Sequence, residues 1–411
     1  MPIDTQRTYL QKHRFAPRQI ETPPDRGLTT VVVIPSHREP KLLPTLQSLE
    51  QCQPPKGKVE IILVFNSSIK AEERVRQFHQ QQIQEVKRWA KAKKRNHSYH
   101  CLHFDQLPHK HAGVGLARKI GMDEAVDRFE QIDHDGIIFC TDGDTSVADN
   151  YLVEVEAAFH ANAKLEAIGL DFEHPLKGKN HPPEVYRAII QYELFLRYYI
   201  GGLRFAGFPY AFHTIGSAMA VRSSAYQKRG GMNRRKAGED FYFLHKFIPE
   251  GRFQELTSTR VYPSPRPSDR VPFGTGRAIS KYLAGNQSIY PTYDPRTFSD
   301  LKTLFDQVKD LYTKAPQALA PSVQAFCEAE NFETKLPELR ANVRNLASFP
   351  KRFYQWFDAL KVLKYVHFAR DHYYPEVEVG QAAADLWETR LGERLSLNHQ
   401  DWLLKYRTQQ K

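Results

Sequence analysis

Cysteine is scarce in this 411-residue chain, and the four present, Cys52, Cys101, Cys140 and Cys327, lie far apart. With no CxxC pair, neither a disulfide framework nor a cysteine-built zinc site is indicated. Long apolar runs are missing too. Val31 to Ile34 and Ile61 to Phe65 are strand-sized, well short of the roughly 18 residues that suggest a membrane span. The first thirty residues are polar and lack the apolar core of a secretory signal. No fixed-period repeat and no low-complexity tract occurs. These absences set an expectation of a cytoplasmic chain with buried, unreactive thiols and no transmembrane segment.

What is present is the composition of a folded chain: 41% hydrophobic, 12% aromatic and 26% charged residues. A disordered chain lacks the apolar surface needed to offset ordering entropy. The length suggests two or three domains. With 58 Lys+Arg against 47 Asp+Glu, the formal charge is +11. Such a surplus favours anionic partners without choosing among phosphorylated metabolites, acidic lipid headgroups and nucleic acid. A basic cluster, Lys87, Arg88, Lys91, Lys93, Lys94 and Arg95, reads as a solvated helix end whose cations complement the helix dipole. No aromatic interleaving or nucleic-acid motif accompanies it, so no nucleic-acid partner is expected. Peripheral contact with the inner membrane surface stays open.

From Thr29 to about Phe172 short apolar runs alternate with helix-period segments, the pattern of a mostly parallel sheet with helices on both faces. The runs are Val31 to Ile34, Val59 to Phe65, Tyr99 to Phe104, Gly136 to Cys140 and Ala167 to Leu170. Covering helices are expected around Val75 to Trp89 and Val114 to Phe129. A long amphipathic segment, Glu184 to Tyr199, and an apolar run, Ala218 to Val221, follow. Arg260 to Arg277 contains Pro263, Pro265, Pro267 and Pro272, a proline content that excludes a central strand or a helix. Beyond Gly285 helices are expected, notably Leu301 to Tyr312 and Phe353 to Ala369, with no strand. The expected organisation is an α/β chain with an N-terminal arm (1–28), a catalytic region (29–285) and a helical C-terminal region (286–411).

The most informative segment runs from Gly136 through Cys140 into Thr141-Asp142-Gly143-Asp144. In a doubly wound sheet, carboxylates just past a strand's carboxyl end point into the ligand crevice. Two hard oxygen donors there suit Mg²⁺ or Mn²⁺ bridging to a diphosphate. A second such pair, Asp133-His134-Asp135, precedes the strand and is expected at the opposite edge. The alternative for Asp142 and Asp144 is a polar turn leading to a helix. Glu239 and Asp240, after the glycine-bearing loop Gly230 to Gly238, are a second acidic constellation. One of them could serve as general base, or both could simply complement a helix dipole. His97, His100, His103, His109 and His111 are too irregularly spaced to read as a metal site, and His213 reads as structural, with substrate contact as its alternative.

Five segments together resemble the nucleotide-sugar glycosyltransferases of family 2, which have the GT-A fold. They are Val31 to Glu39, Ala117-Arg118-Lys119-Ile120-Gly121, Asp142-Gly143-Asp144, Gly216 to Arg222, and Gly238-Glu239-Asp240, in the family's order. Residues after about Gly285 are not covered. The resemblance implies a Rossmann-like, GT-A type sheet and transfer of a sugar from a nucleoside diphosphate to an acceptor hydroxyl with inversion. Asp240 would take the acceptor proton and Glu239 would position the acceptor. Asp142 and Asp144 would hold Mg²⁺ or Mn²⁺. Pro35, Glu39, Asn66, Arg118 and Asp142 would face the nucleotide, and Arg266, Arg270 or Arg277 would either close over the phosphates or belong to a solvated surface loop.

Two departures matter. Phe65-Asn66-Ser67-Ser68 stands where the family usually ends its second strand in a carboxylate, which leaves the nucleotide open. A Gln-x-x-Arg-Trp motif and membrane spans, features of processive synthases, are absent, so a non-processive, single-sugar, hexosyltransferase-type reaction is expected. The acceptor, whether glycan, lipid-linked or small molecule, is not indicated. Two other readings use the same residues. One is a haloacid-dehalogenase-like phosphohydrolase, in which Ser146 stands where Thr or Val is usual. The other is a non-catalytic sugar-nucleotide-binding protein.

Overall fold

The computed structural model describes residues 4–271, 274–285 and 290–409, with side chains from residue 8 onward. Pro272 and residue 286, the first of the expected helical region, lie outside the described residues. The chain divides into two compact units, residues 1–175 with 214–277 and residues 176–213 with 278–411. The N-terminal arm therefore belongs to the first unit. Residues 176–213, placed by sequence in the catalytic region, group instead with the C-terminal helices.

The first unit is built on β1 (Leu28–Ser36), β2 (Lys58–Ser68), β3 (Ser98–Leu107), β4 (Ile137–Cys140), β5 (Thr145–Val147), β6 (Ala167–Phe172), β7 (Met219–Arg222) and β8 (Phe253–Pro263). They form one sheet in the order β3-β2-β1-β4-β7-β6-β8-β5. β3, β2, β1 and β4 are mutually parallel, as are β6 and β8, while β7 and β5 run against their neighbours. The sheet is thus mostly parallel. Val31, Val32, Val33 and Ile34 in the middle of β1 are all fully buried. A strand covered on both faces carries a continuous apolar run rather than an alternation, which is why β1 was legible. Each such side chain contributes about 1.5–3 kcal/mol by leaving water.

The helices of this unit are α1 (Asp4–His13), α2 (Leu42–Glu50), α3 (Glu73–Lys91), α4 (Val114–Glu130) and α5 (Tyr151–Ala161). After α6 (Pro183–Phe205), which lies in the second unit, come the short α7 (Ser223–Lys228) and α8 (Glu239–Leu244). α4 is buried along nearly its whole length. Gly121 permits that, since a Cβ there would clash with Val33 on β1. The N-terminal arm is fastened to the same helix. Tyr9 and Tyr226 donate to Asp123 at 2.9 and 2.8 Å, and Arg14 and Arg18 pair with Asp127 at 3.1 and 2.7 Å. At the amino end of β4, Asp135 accepts the N–H and hydroxyl of Ser224, each at 2.7 Å, at the start of α7. The second Asp-x-Asp pair is therefore a structural cap on the sheet edge opposite Asp142.

The Arg260–Arg277 stretch differs from its expected structure. Arg260 to Pro263 is the end of β8, an interior strand between β6 and β5, and Thr275 begins α9 (Thr275–Ala284). Pro263 is tolerated because it closes the strand, and Pro265 and Pro267 lie beyond it.

The second unit packs α6 with α10 (Arg296–Phe305), α11 (Pro321–Ala329), α12 (Phe332–Ala341), α13 (Phe349–Trp356), α14 (Ala359–His372), α15 (Val379–Leu391) and α16 (His399–Gln409). Leu194, Tyr198, Phe298, Phe326, Phe353 and Tyr365 are among its core. Fully buried Glu193 accepts from Arg197 at 2.8 Å and from Arg407 at 2.7 Å, tying α16 to α6. The helix expected over Phe353 to Ala369 is two helices, because Asp358 accepts the N–H of Lys361 at 2.9 Å and caps α14. The helix expected over Leu301 to Tyr312 ends as α10 at Phe305, with a separate 3₁₀ turn at Asp310–Tyr312. A small antiparallel ladder, β9 (Pro291–Thr292) with β10 (Val377–Glu378), stands where no strand was expected. Among the described residues no helix is long and apolar enough to cross a membrane.

Candidate active site

Register brings the acidic segments to one edge of the sheet. Val33 on β1 pairs with Cys140 on β4, so Glu39 and the Asp142–Asp144 turn both lie past the carboxyl ends of neighbouring strands. Cys140 pairs antiparallel with Met219, which sets Asp142 beside the Gly216–Ser217 approach to β7. Thr145 pairs with Pro263, so the chain leaving β8 passes Asp144 and delivers Arg266 and Arg270 to it. This is the edge where open α/β sheets bind ligands.

Arg118, in the second turn of α4, joins two of the acids. Its guanidinium pairs with Glu239 and, at 2.6 Å, with Asp142, and only 3% of the residue is exposed. Burial opposes its charge, but the Asp142 and Glu239 carboxylates more than offset this, and its pKa is raised. A Cβ at 216 would collide with that guanidinium, so glycine is required there for close approach. Glu239 opens α8 after Gly238, which sits at φ 71°, a left-handed conformation that favours glycine. Asn233 holds the same turn by donating to the Glu239 carbonyl at 2.9 Å. Burial raises the pKa of Glu239, against the pull of Arg118.

Asp240 is half-buried. Its Oδ2 accepts the Gly216 N–H at 2.9 Å and its Oδ1 accepts its neighbour Phe241's N–H at 2.8 Å. Burial raises its pKa despite the opposing influence of Arg118 and these two N–H groups. One N–H on each oxygen fixes the carboxylate, and burial raises its affinity for a proton.

A second charge cluster surrounds Asp144. Arg266 donates to both oxygens of Glu39, at 2.8 and 3.1 Å, and to Asp144 at 3.1 Å. Arg270 donates to Glu39 at 2.8 Å, to the His37 carbonyl at 2.9 Å and to Asp144 at 3.4 Å. Burial, Glu39 and Asp142 push Asp144 up to about 6, against the effect of the two arginines. Among the described residues no three His, Cys, Asp or Glu side chains come together in a metal-holding arrangement. Asp142 and Asp144 offer two carboxylates at an edge where cationic groups already gather. That donor set fits Mg²⁺ or Mn²⁺ of the kind held by one or two carboxylates and completed by phosphate and water oxygens.

Asp142, Asp144, Glu239, Asp240, Glu39, Arg118, Arg266 and Arg270 thus fall into two linked clusters. Asn66, Pro35 and Arg277 are the other three candidates. Asn66 is buried and donates to the Gly113 carbonyl at 3.1 Å, where it ties β2 to the start of α4. Pro35 is half-buried within β1, and Arg277 is exposed on the first turn of α9. Sequence reading missed His79 and Gln82, three residues apart on one face of α3. Fully buried His79 accepts the N–H of Arg38 at 3.2 Å, and Gln82 donates to the Glu39 carbonyl. Arg38 has φ 50°, a left-handed conformation unusual outside glycine. The only available signal was two polar residues at buried positions of an amphipathic helix.

Among solved structures, the chain is similar to residues 1–349 of S. aureus TarS in complex with UDP-GlcNAc, at 14% identity and TM-score 0.41, over 90% of this chain and 94% of that one. It is also similar to the mannosyltransferase PcManGT from Pyrobaculum calidifontis in complex with GDP-Man and Mn²⁺, at 14% identity and TM-score 0.38, over 99% and 89% respectively. No protein-family model and no curated protein sequence matches the chain significantly.

Proposed function

We propose that this chain is a GT-A type glycosyltransferase, similar to family 2, that moves one sugar from a nucleoside-diphosphate sugar to an acceptor hydroxyl with inversion. The observation that carries the reading is the placing of two separate acidic positions at one sheet edge. Asp142 and Asp144 follow β4, while Asp240 is aimed by the Gly216 N–H on the neighbouring β7 approach. Transfer with inversion needs such a division, because the leaving diphosphate and the attacking hydroxyl lie on opposite faces of the sugar carbon.

Asp240 accepts the proton of the acceptor hydroxyl as it attacks. Glu239, locked to Arg118, fixes the start of α8 and hence the direction of Asp240. Asp142 and Asp144 hold Mg²⁺ or Mn²⁺, which when bound supplies electrostatic stabilisation to the departing diphosphate. Arg266 and Arg270 add guanidinium forks suited to phosphate oxygens. The 272–273 segment beyond them lies outside the described residues. The reading is tested by a thermal-shift panel of nucleoside diphosphates with Mn²⁺, since a ligand selective for the native state raises the midpoint. A rise with one nucleotide, followed by sugar transfer from the matching donor, supports it; no rise across the panel counts against it.

A further inference from the structure

We infer that Glu39 is a positioning residue that anchors Arg266 and Arg270 beside Asp144, and that it does not itself bind the nucleotide. This rests on the donor-binding reading above and departs from the role that the sequence resemblance gives Glu39. The carboxylate is consumed by protein partners. Both oxygens accept from Arg266, one also accepts from Arg270 at 2.8 Å, and the Lys41 N–H approaches Oε1 at 3.3 Å. The Glu39 side chain is 3% exposed, whereas those of Arg266 and Arg270 are 22% and 20% exposed. The arginines, not the glutamate, reach the side open to ligand.

The backbone of Glu39 is fixed as firmly as its side chain. Gln82 holds its carbonyl, and His79 holds the N–H of Arg38 in its left-handed turn. These contacts come from the covering helix α3. They fix the end of β1, to which the guanidinium groups of two long side chains are fastened. Asp144 shares the arginines through single, longer contacts at 3.1 and 3.4 Å. With Asp144 engaged by a cation, Glu39 still keeps both guanidinium groups at the edge of the site. Their outward N–H groups are then free for diphosphate oxygens. Pre-orienting two long cationic side chains reduces the ordering cost that phosphate binding would otherwise meet.

The test combines two measurements. Hydrogen–deuterium exchange of residues 264–271 in the ligand-free protein reports the anchor directly, and Glu39→Gln is expected to speed it by about tenfold or more as the paired arginines are released. Calorimetry with UDP and GDP in Mn²⁺ then follows Glu39→Gln, Arg266→Gln/Arg270→Gln and the triple variant as a double-mutant cycle. The expected result is a loss of about tenfold or more in nucleotide affinity for Glu39→Gln, with no further loss when it is added to the arginine variant. Unchanged exchange overturns the inference. So does a Glu39→Gln loss that persists in full without the arginines, which would mark direct nucleotide contact. If neither nucleotide binds the wild type, the donor reading fails while the exchange comparison still decides the anchor. Should Glu39→Gln not fold, the arginine variant on its partly exposed loop must show the same faster exchange.

Discussion

Arg118 pairs with Glu239 across 121 residues of sequence, with both side chains almost fully buried. The same guanidinium reaches Asp142, so one α4 side chain fixes the turn after β4 relative to the start of α8. Removing it leaves two acids without their common partner. Breaking one side of a buried pair typically costs about 3–5 kcal/mol. Arg118→Met is therefore expected to lose stability on that scale in urea titration, whereas Arg222→Met, at a half-buried position on β7, is expected to lose less. Equal losses would show that Arg118 is not the link between the two acids.

Gly216 gives a second, steric test of the same arrangement. Its N–H aims Asp240, and a Cβ in its place would collide with the Arg118 guanidinium. Gly216→Ala must displace either that guanidinium or the N–H. Overpacking of this kind typically costs about 1–3 kcal/mol. Transfer should fall further than the stability loss accounts for, measured as turnover at a temperature where the variant is fully folded. Unchanged turnover would separate Asp240 from its supposed support.

Asp144→Ala is expected to abolish Mn²⁺-dependent turnover while the fold persists, because it removes one of the two hard donors at the end of β4. The check is activity and circular dichroism of the variant, beside wild type in excess chelator. Full wild-type activity in chelator would overturn the role given to Asp142 and Asp144.

How far this site could be read from sequence depended on whether its residues carried a local signal. Val31 to Ile34 and Gly136 to Cys140 are apolar runs with no competing interpretation, so their strands and the acidic turn after β4 could be placed. The Asp133–Asp135 pair could be set aside because strand direction alone puts it on the other edge, where it caps Ser224. β8 could not be seen, because Thr257, Ser258, Thr259 and Arg260 break its apolar pattern and Pro263 ends it. Its partners β6 and β5 supply what the local sequence lacks. Asn66 could not be placed either. The resemblance sets it facing the nucleotide, and no local pattern shows that its Nδ2 also donates to the Gly113 carbonyl, a contact made across 47 residues. The break at Phe357-Asp358 was obscured by apolar residues on either side that keep the helical period through it.

His79 makes stability depend on pH in a defined direction. Burial, with His37 and His103 nearby, pushes it down to about 3 from an ordinary 6.5. Between those values the unfolded chain binds the proton and the folded chain does not. Stability is therefore complete above 6.5 and is lost as pH falls through the window, by at most about 1.4 kcal/mol per pH unit. Unfolding free energies from urea titration at pH 7.5 and 5.5 should differ by about 1.4 kcal/mol more in wild type than in His79→Asn. An identical pH dependence in the two proteins would remove His79 from the account.

Asp240→Asn is the decisive variant for the chemistry. Its single amide oxygen can replace only one of the two carboxylate oxygens that accept the Gly216 and Phe241 N–H groups, and the group can no longer take a proton. General-base catalysis typically contributes about 10²–10⁴-fold, and transfer should fall on that scale while donor affinity stays near normal. The raised pKa of Asp240 adds two signed expectations. Its base form is lost at a higher pH than an ordinary aspartate's, so the acid limb of the rate profile should lie above the ordinary value of 3.8 and vanish in the variant. Because the folded state resists ionising this group, stability declines as pH rises from the unfolded value through the folded one. Asp240→Asn should lack this pH dependence, read as the difference between the two proteins' unfolding free energies in urea followed against pH. Turnover with Asp240→Asn and Glu239→Gln, read beside donor affinity and the anomeric configuration of the product, separates the roles. Near-normal transfer by Asp240→Asn would remove the base from the mechanism, and a product that keeps the donor's configuration would remove inversion.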